Sequence, residues 1–302
     1  MEAAATLPRM PRRVLATVAS TSIGALQAAV LGTVQGLTEF VPVSSSAHLV
    51  IVPFVLGWPV PDLAFDAAVH LGTALAVAVY FAADLAGVLA SGTRVALGRA
   101  RDGDGERARL IPLLAAGTVP AAVAGLLGES LFEELFTSTE DVERIGAPIV
   151  GLFLLGTAAL LFLGEAVLAR REGRGRGIER LRYRDAVLIG LFQAAAIAPG
   201  ISRSGATIVA GLFLGLRREA SARFSFLLSL PAILGAAIVS LPDVPAGADL
   251  VPMLAGGATA AAAGFAAIAF LLRYLRTRTM RPFAVYCVLA SAVTLVTWMI
   301  RT

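Results

Sequence analysis

Six stretches of this chain are long and apolar enough to cross a lipid bilayer, and that decides most of what it can fold into. They are residues 64–83, 110–127, 146–168, 220–241, 250–272 and 282–300. A hydrocarbon core about 30 Å thick takes about 20 helical residues to cross. Inside it no water satisfies backbone N–H and C=O groups, so such a segment is a helix. The composition agrees: 57% of the 302 residues are hydrophobic and 15% are charged, against about 25% charged in soluble domains. The expected fold is an all-α integral membrane protein, a single membrane domain over residues 1–302 with about six full spans.

All 25 basic residues are arginine. They gather in the segments 94–109, 170–184 and 273–281, between apolar runs. That is how cytoplasmic membrane loops look, and it argues against nucleic acid as a partner despite the net charge of +4. The acidic loops 129–143 and 243–249 then lie outside, as does the C-terminus. Arg9, Arg12 and Arg13 before the apolar stretch 14–31 invite a signal-peptide reading. The stretch runs straight into a polar motif without a convincing cleavage site, so the reading is set aside. The single cysteine, Cys287, allows no intramolecular disulfide.

Two further apolar regions are broken at their centres. Residues 23–58 are interrupted by Pro42, Ser44, Ser45 and Ser46, and residues 186–216 by the run from Pro199 to Gly205. Each reads as two short helical arms that enter and leave the same membrane face, with serines capping the second arm. Broken backbone at that depth is tolerated only against protein or a wet cavity. The two regions resemble each other: Gly32 and Gln35 align with Gly190 and Gln193, and Pro42 and Ser45 with Pro199 and Ser202 after one gap. Phe65 to His70 aligns loosely with Phe224 to Ser229. The chain is therefore expected to be an inverted repeat, residues 23–168 and 185–300, each a re-entrant helical hairpin plus three transmembrane helices.

The polar residues of the hairpins carry the candidate chemistry. Gln35 and Glu39 are four apart on one face of the first arm, and His48 follows Ser45 by three, so it is expected to face the same cavity. A carboxylate inside a membrane needs a partner or a task. In the second motif Arg203 stands between Ser202 and Ser204, ahead of Gly205 and Thr207, at a helix start. Backbone N–H groups, the helix dipole and a guanidinium there suit an anion. Asp66 and His70 form a second polar pair, expected to stand behind the site. Glu165 and Asp185 border an arginine loop and are expected to be solvated, Asp84 is expected at the interface, and Gly173 to Gly177 reads as a charged linker.

The runs Thr33-Val-Gln-Gly-Leu-Thr-Glu-Phe-Val-Pro-Val-Ser-Ser-Ser-Ala-His-Leu49 and Pro199-Gly-Ile-Ser-Arg-Ser-Gly-Ala-Thr207 strongly resemble the undecaprenyl-diphosphate phosphatase, or bacitracin-resistance protein, family. Residues 224–231 and 282–286 also look like family segments. The resemblance implies a hydrolase of the bacterial inner membrane. It would convert undecaprenyl diphosphate to undecaprenyl phosphate and inorganic phosphate, recycling the lipid carrier for peptidoglycan and conferring bacitracin resistance. It implies a polyprenyl diphosphate substrate among membrane lipids, a site facing outside the cytoplasm, a divalent cation (Mg2+ or Ca2+), and often a homodimer. The matching functional positions are Glu39, Ser45, His48 and Arg203. Ser44, Ser46, Ser202, Ser204, Gly205 and Thr207 would contact substrate, and Glu39 with Gln35 would hold the metal. Some members carry a second glutamate at the position of Gln35.

These residues lead to a scheme in which Ser45 or a water attacks phosphorus, His48 moves the proton, and Arg203 grips the phosphate. A lipid-phosphate transporter is the rival, since inverted repeats with broken helices also serve alternating access. The serine and histidine beside a metal-capable carboxylate exceed what transport requires.

Overall fold

The computed structural model describes residues 23–133, 145–171, 175–240 and 249–301. The segment before residue 23, which raised the signal-peptide question, lies outside them, as does most of both acidic loops.

The first hairpin is α1 (Ala25–Phe40) and α2 (Ser45–Leu56). At 1.5 Å per residue, helices of 16 and 12 residues reach about 24 and about 18 Å, short of the bilayer core. The first full span, α3 (Leu63–Tyr80), follows and is capped by Asp62, whose carboxylate accepts from Phe65 N at 2.8 Å. The chain continues into α4 (Ala82–Ala96), then the spans α5 (Leu110–Glu133) and α6 (Ala147–Arg170). The second hairpin is α7 (Tyr183–Ala195) and α8 (Arg203–Phe213). Three more spans complete the chain: α9 (Arg218–Ser240), α10 (Leu250–Tyr274) and α11 (Arg281–Arg301). Among the described residues six helices are long and apolar enough to cross a membrane. The order hairpin, span, span, span occurs twice, and the packing follows it. α10 lies along α1 and α3, while its counterpart α5 lies along α7 and α9. α3 meets α9, and α6 meets α11.

Close approach of backbones is what brings the first hairpin to its place. Without a hydrophobic drive between helices in lipid, packing depends on small residues. A Cβ on Gly36 would stand 2.5 Å from Ala260 O and 2.7 Å from Gly264 N, and Gly32 is pressed in the same way against Gly256. The small-residue spacing of α1 is thus used within the chain, against α10.

Three sequence expectations change here. The first span was expected to run to residue 83, but it ends at Tyr80 and a separate helix carries on to Ala96. α4 escaped notice because its polarity is answered by partners in other elements: Asp84 pairs with Arg223 at 2.6 Å, and Arg94 with Asp104 at 2.5 and 2.7 Å. Glu165 and Asp185 are not solvated; they are 2% and 1% exposed. Arg218 binds Glu165 through two nitrogens at 2.8 and 2.5 Å, and Arg176 binds Asp185 at 2.7 Å. Glu165 also accepts from Met280 N at 2.9 Å, so it joins α6, α9 and the approach to α11. The linker residue Arg176 is itself pinned, its N–H donating to Gly215 O at 2.9 Å.

Gly36→Leu should lower the melting temperature in detergent sharply or prevent recovery of folded protein. Gly156→Ala, in α6 with nothing within 4 Å of the added carbon, should be neutral or stabilise by up to about 1 kcal/mol. A thermal-shift series on both variants checks this.

Candidate active site

The tips of the two hairpins meet. Gly200 N donates to Ser46 Oγ at 3.4 Å, and Ser204 Oγ lies 3.5 Å from Val41 O. Across this contact Arg203, the first residue of α8, forms an ion pair with Oε1 of Glu39, in the last turn of α1. The other carboxylate oxygen accepts from the Ser45 hydroxyl and from Gln35 Nε2, the latter at 3.0 Å. One carboxylate, 6% exposed, therefore organises an arginine, a serine and an amide.

Local backbone geometry makes this possible. Helix α1 stops at Phe40, and the tip turns through Pro42 into Ser44, which has φ 70 and ψ 99. Among the described residues it is the one non-glycine with positive φ. Such a conformation costs about 1–3 kcal/mol and concentrates at functional sites. It lets Ser44 Oγ accept from Ala47 N at 3.4 Å, capping α2, while Ser44, Ser45 and Ser46 all line one cavity. In the second tip Gly200 takes φ 104, and any side chain there would collide with Phe153 and Val150 of α6. Thr157 of α6 fixes the turn on both sides: its hydroxyl donates to Gly200 O at 3.0 Å and accepts from Ser202 N at 2.9 Å.

The cavity, about 380 Å³, is walled by Glu39, the three serines, Arg203, Asp66 and His70, with Ala and Ile side chains opposite. His70 Nδ1 donates to the Asp66 carbonyl at 2.8 Å and lies 3.4 Å from the Asp66 carboxylate. That sets its tautomer and leaves Nε2 facing Glu39 Oε2 at 4.0 Å. The pair expected to stand behind the site in fact lines its wall.

His48 is placed otherwise than expected. It is 5% exposed and does not line the cavity. Its Nδ1 donates to Ser44 O at 2.7 Å, and its Nε2 accepts from the Tyr286 hydroxyl at 2.7 Å, the two rings stacked 5.6 Å apart. Three residues on a helix rotate a side chain about 60° short of a full turn, enough to carry it from the cavity to α11.

The second motif changes too. Ser202, Ser204, Gly205 and Thr207 do not line the cavity. Ser202 Oγ caps α8 by accepting from Gly205 N at 3.0 Å, Ser204 Oγ is 3.2 Å from Ser202 Oγ, and Thr207 Oγ1 is 2.6 Å from Ser225 Oγ. With Ser202 N given to Thr157, two of the amides expected to cradle an anion hold the turn instead. Arg203 is the polar group that this motif sends into the cavity.

The cation implied by the resemblance finds fitting donors. Gln35 is fully buried, and its Oε1 has no hydrogen-bond partner. An amide carbonyl beside a carboxylate suits a hard ion such as magnesium or calcium. Among the described residues no three His, Cys, Asp or Glu side chains form a cage by themselves. Water and phosphate oxygens would have to complete the shell, the usual condition for magnesium.

Tyr286, Thr157 and Gln193 were not singled out as functional by the sequence. Tyr286 lies in a segment that already looked family-like, and Gln193 had a visible repeat partner in Gln35. Thr157 sits in an apolar span among other small residues, where nothing distinguishes it.

Serine, carboxylate and arginine gathered at two re-entrant tips, with a histidine of the span α3 on the same cavity wall, are the groups that a membrane-embedded phosphoryl-transfer protein uses. The comparisons narrow this. The family model described as bacitracin resistance protein BacA matches residues 28–293, and the chain belongs to that family. An undecaprenyl-diphosphatase of Geobacter sulfurreducens is 42% identical over 276 residues, 89% of this chain and 97% of its own. Undecaprenyl-diphosphatases of Moorella thermoacetica and Gemmatimonas aurantiaca are 41% and 43% identical, each covering 91% of this chain and 98% of the relative.

Thr157→Val should leave Gly200 O and Ser202 N buried and unpaired, at about 1–3 kcal/mol each. We expect a lower melting temperature together with a fall in activity, as Arg203 loses its fixed start point. Thr157→Ser should retain both, which thermal melts and phosphate-release assays on the two variants will check.

Proposed function

We propose that this protein is an undecaprenyl-diphosphatase in which Ser45 is the nucleophile and Glu39 its base. The observation that carries this reading is the hydrogen-bonded chain Ser45–Glu39–Arg203 at the cavity wall. The Ser45 oxygen attacks the terminal phosphorus, its proton passes to Glu39, and the bond from that phosphorus to the bridging oxygen breaks. Undecaprenyl phosphate departs and the phosphoryl group stays on Ser45. Water then cleaves the phosphoserine and inorganic phosphate leaves. Arg203 neutralises charge on the phosphoryl oxygens, the larger part of catalysis for this reaction class. His70, rather than His48, is the imidazole placed to exchange the proton with Glu39. Glu39 and the Gln35 carbonyl would hold a magnesium or calcium ion, which when bound would supply further positive charge against the diphosphate.

The site faces outside the cytoplasm. The cavity is lined by the first turns of α3 and the later halves of α5 and α9, from Ala121 and Gly125 to Ala236. These are the ends away from the arginine-rich segments 94–109 and 170–184. The apolar wall, with Ile197, Ala232 and Ile233, suits the first isoprene units of a lipid whose tail stays in the bilayer.

The test is phosphate release from undecaprenyl diphosphate in detergent, with acid quench of terminally labelled substrate. Wild type should give a labelled protein band lost in Ser45→Ala, and chelator should remove activity that magnesium or calcium restores. Arg203→Ala and Glu39→Gln should each cost about 100-fold or more. His70→Ala should slow the reaction more than Tyr286→Phe, which breaks only the hydrogen bond of His48. Full activity in Ser45→Ala would replace the serine with water as attacker.

A further inference from the structure

Gln193 lies in the last turn of α7 and lines the same cavity as Glu39 and Arg203. It is 3% exposed, and neither its Nε2 nor its Oε1 has a hydrogen-bond partner. Buried side-chain amides are normally satisfied, and one unpaired at both ends needs a reason. The first hairpin shows how the condition arises. Gln35 holds the matching position of α1, and its Nε2 is engaged by Glu39 four residues on. Four residues beyond Gln193 stands Ile197, so the second arm has no carboxylate to receive the amide. The repeat has kept the amide and dropped its partner, on the wall of a cavity whose neighbouring side chains, Ala196, Ile197 and Ile233, offer no hydrogen bond.

We propose that the Gln193 amide binds the diphosphate directly, as the anchor for the second of its two phosphoryl groups; this rests on the phosphatase reading above. Nε2 donates to a phosphoryl oxygen, and Oε1 accepts from a water or a protonated phosphoryl oxygen. Arg203, at the start of the other arm of the same hairpin, grips the first phosphoryl group, with its charge balanced in part by Glu39. A neutral donor suits the second position, because it needs no counter-charge in a low-dielectric site when the ligand is away. Two anchors on the two arms of one hairpin make the site read a diphosphate in preference to a monophosphate, so the product is held less tightly than the substrate.

The experiment compares the full-length wild type with Gln193→Met, which keeps the volume and removes both polar ends. Three quantities are read: KM and kcat on undecaprenyl diphosphate, the melting temperature without ligand, and the protection against melting given by inorganic pyrophosphate and by inorganic phosphate. In Gln193→Met we expect KM to rise about ten-fold, the worth of one hydrogen bond to a charged group, with a smaller change in kcat. Pyrophosphate should protect wild type better than phosphate, and the variant should lose that difference. Its ligand-free melting temperature should equal or exceed that of wild type, since two unpaired buried groups are gone. An unchanged KM with an unchanged pyrophosphate preference overturns the proposal. So does a lowered ligand-free melting temperature, which would make the amide a structural group. Gln193-dependent pyrophosphate protection in a wild type that releases no phosphate would overturn the phosphatase reading and leave the anion subsite standing.

Discussion

The ion pair between Glu39 and Arg203 is the interaction on which the site depends. It joins residues 164 apart in the chain, one from each hairpin. Both hairpins are too short to cross the membrane, so each ends within it and presents charge there. A buried pair broken at one partner costs about 3–5 kcal/mol, because the survivor is left uncompensated. The pair therefore fixes the tips against each other and keeps a carboxylate and a guanidinium ready inside a low-dielectric cavity. The Ser45 hydroxyl and the Gln35 amide complete the coordination of the same carboxylate. Structure and chemistry use one group.

The rest of the molecule holds those tips in register. Gly32 and Gly36 allow α1 to lie directly on the backbone of α10, and Thr157 of α6 ties the second turn down. At the arginine-rich face a separate set of buried acids, Glu165 and Asp185, is neutralised by Arg218 and Arg176. Glu39, Glu165 and Asp185 thus fall into two groups. One is closed by ion pairs and backbone donors from several helices, and the other opens on a cavity. The contrast separates the two pairs more clearly than burial does, since both glutamates are almost fully covered.

Much of this was legible in the sequence. Six spans follow from the length of the apolar runs, and two hairpins follow from breakers flanked by arms too short to cross. Glu39, Ser45 and Arg203 could be picked out because charge inside a membrane is costly and has to be explained. The misplacements have a common cause. His48, Ser202, Ser204 and Thr207 carry the right chemistry, but a polar residue in lipid can serve a ligand or a neighbouring helix. Sequence does not say which side the helix turns. Tyr286, 238 positions from His48, settles that histidine's orientation, and Ser225 settles Thr207. Helix α4 was lost for a similar reason, as its charged residues are answered by partners in other elements.

What the sequence determined by itself was the solvent: so apolar a chain has to live in a bilayer, with its backbone bonds closed in helices and its breakers against protein or water. It also determined which residues could do chemistry, because few polar groups are tolerated there. Only the tertiary structure decided which of them share a cavity. That His70 reaches the cavity wall and that His48 turns to Tyr286 instead depended on helix rotation and on α11. Those facts arise from contacts between segments far apart in the chain. Periodicity fixes a residue's neighbours within its own helix and leaves open the helix that faces it.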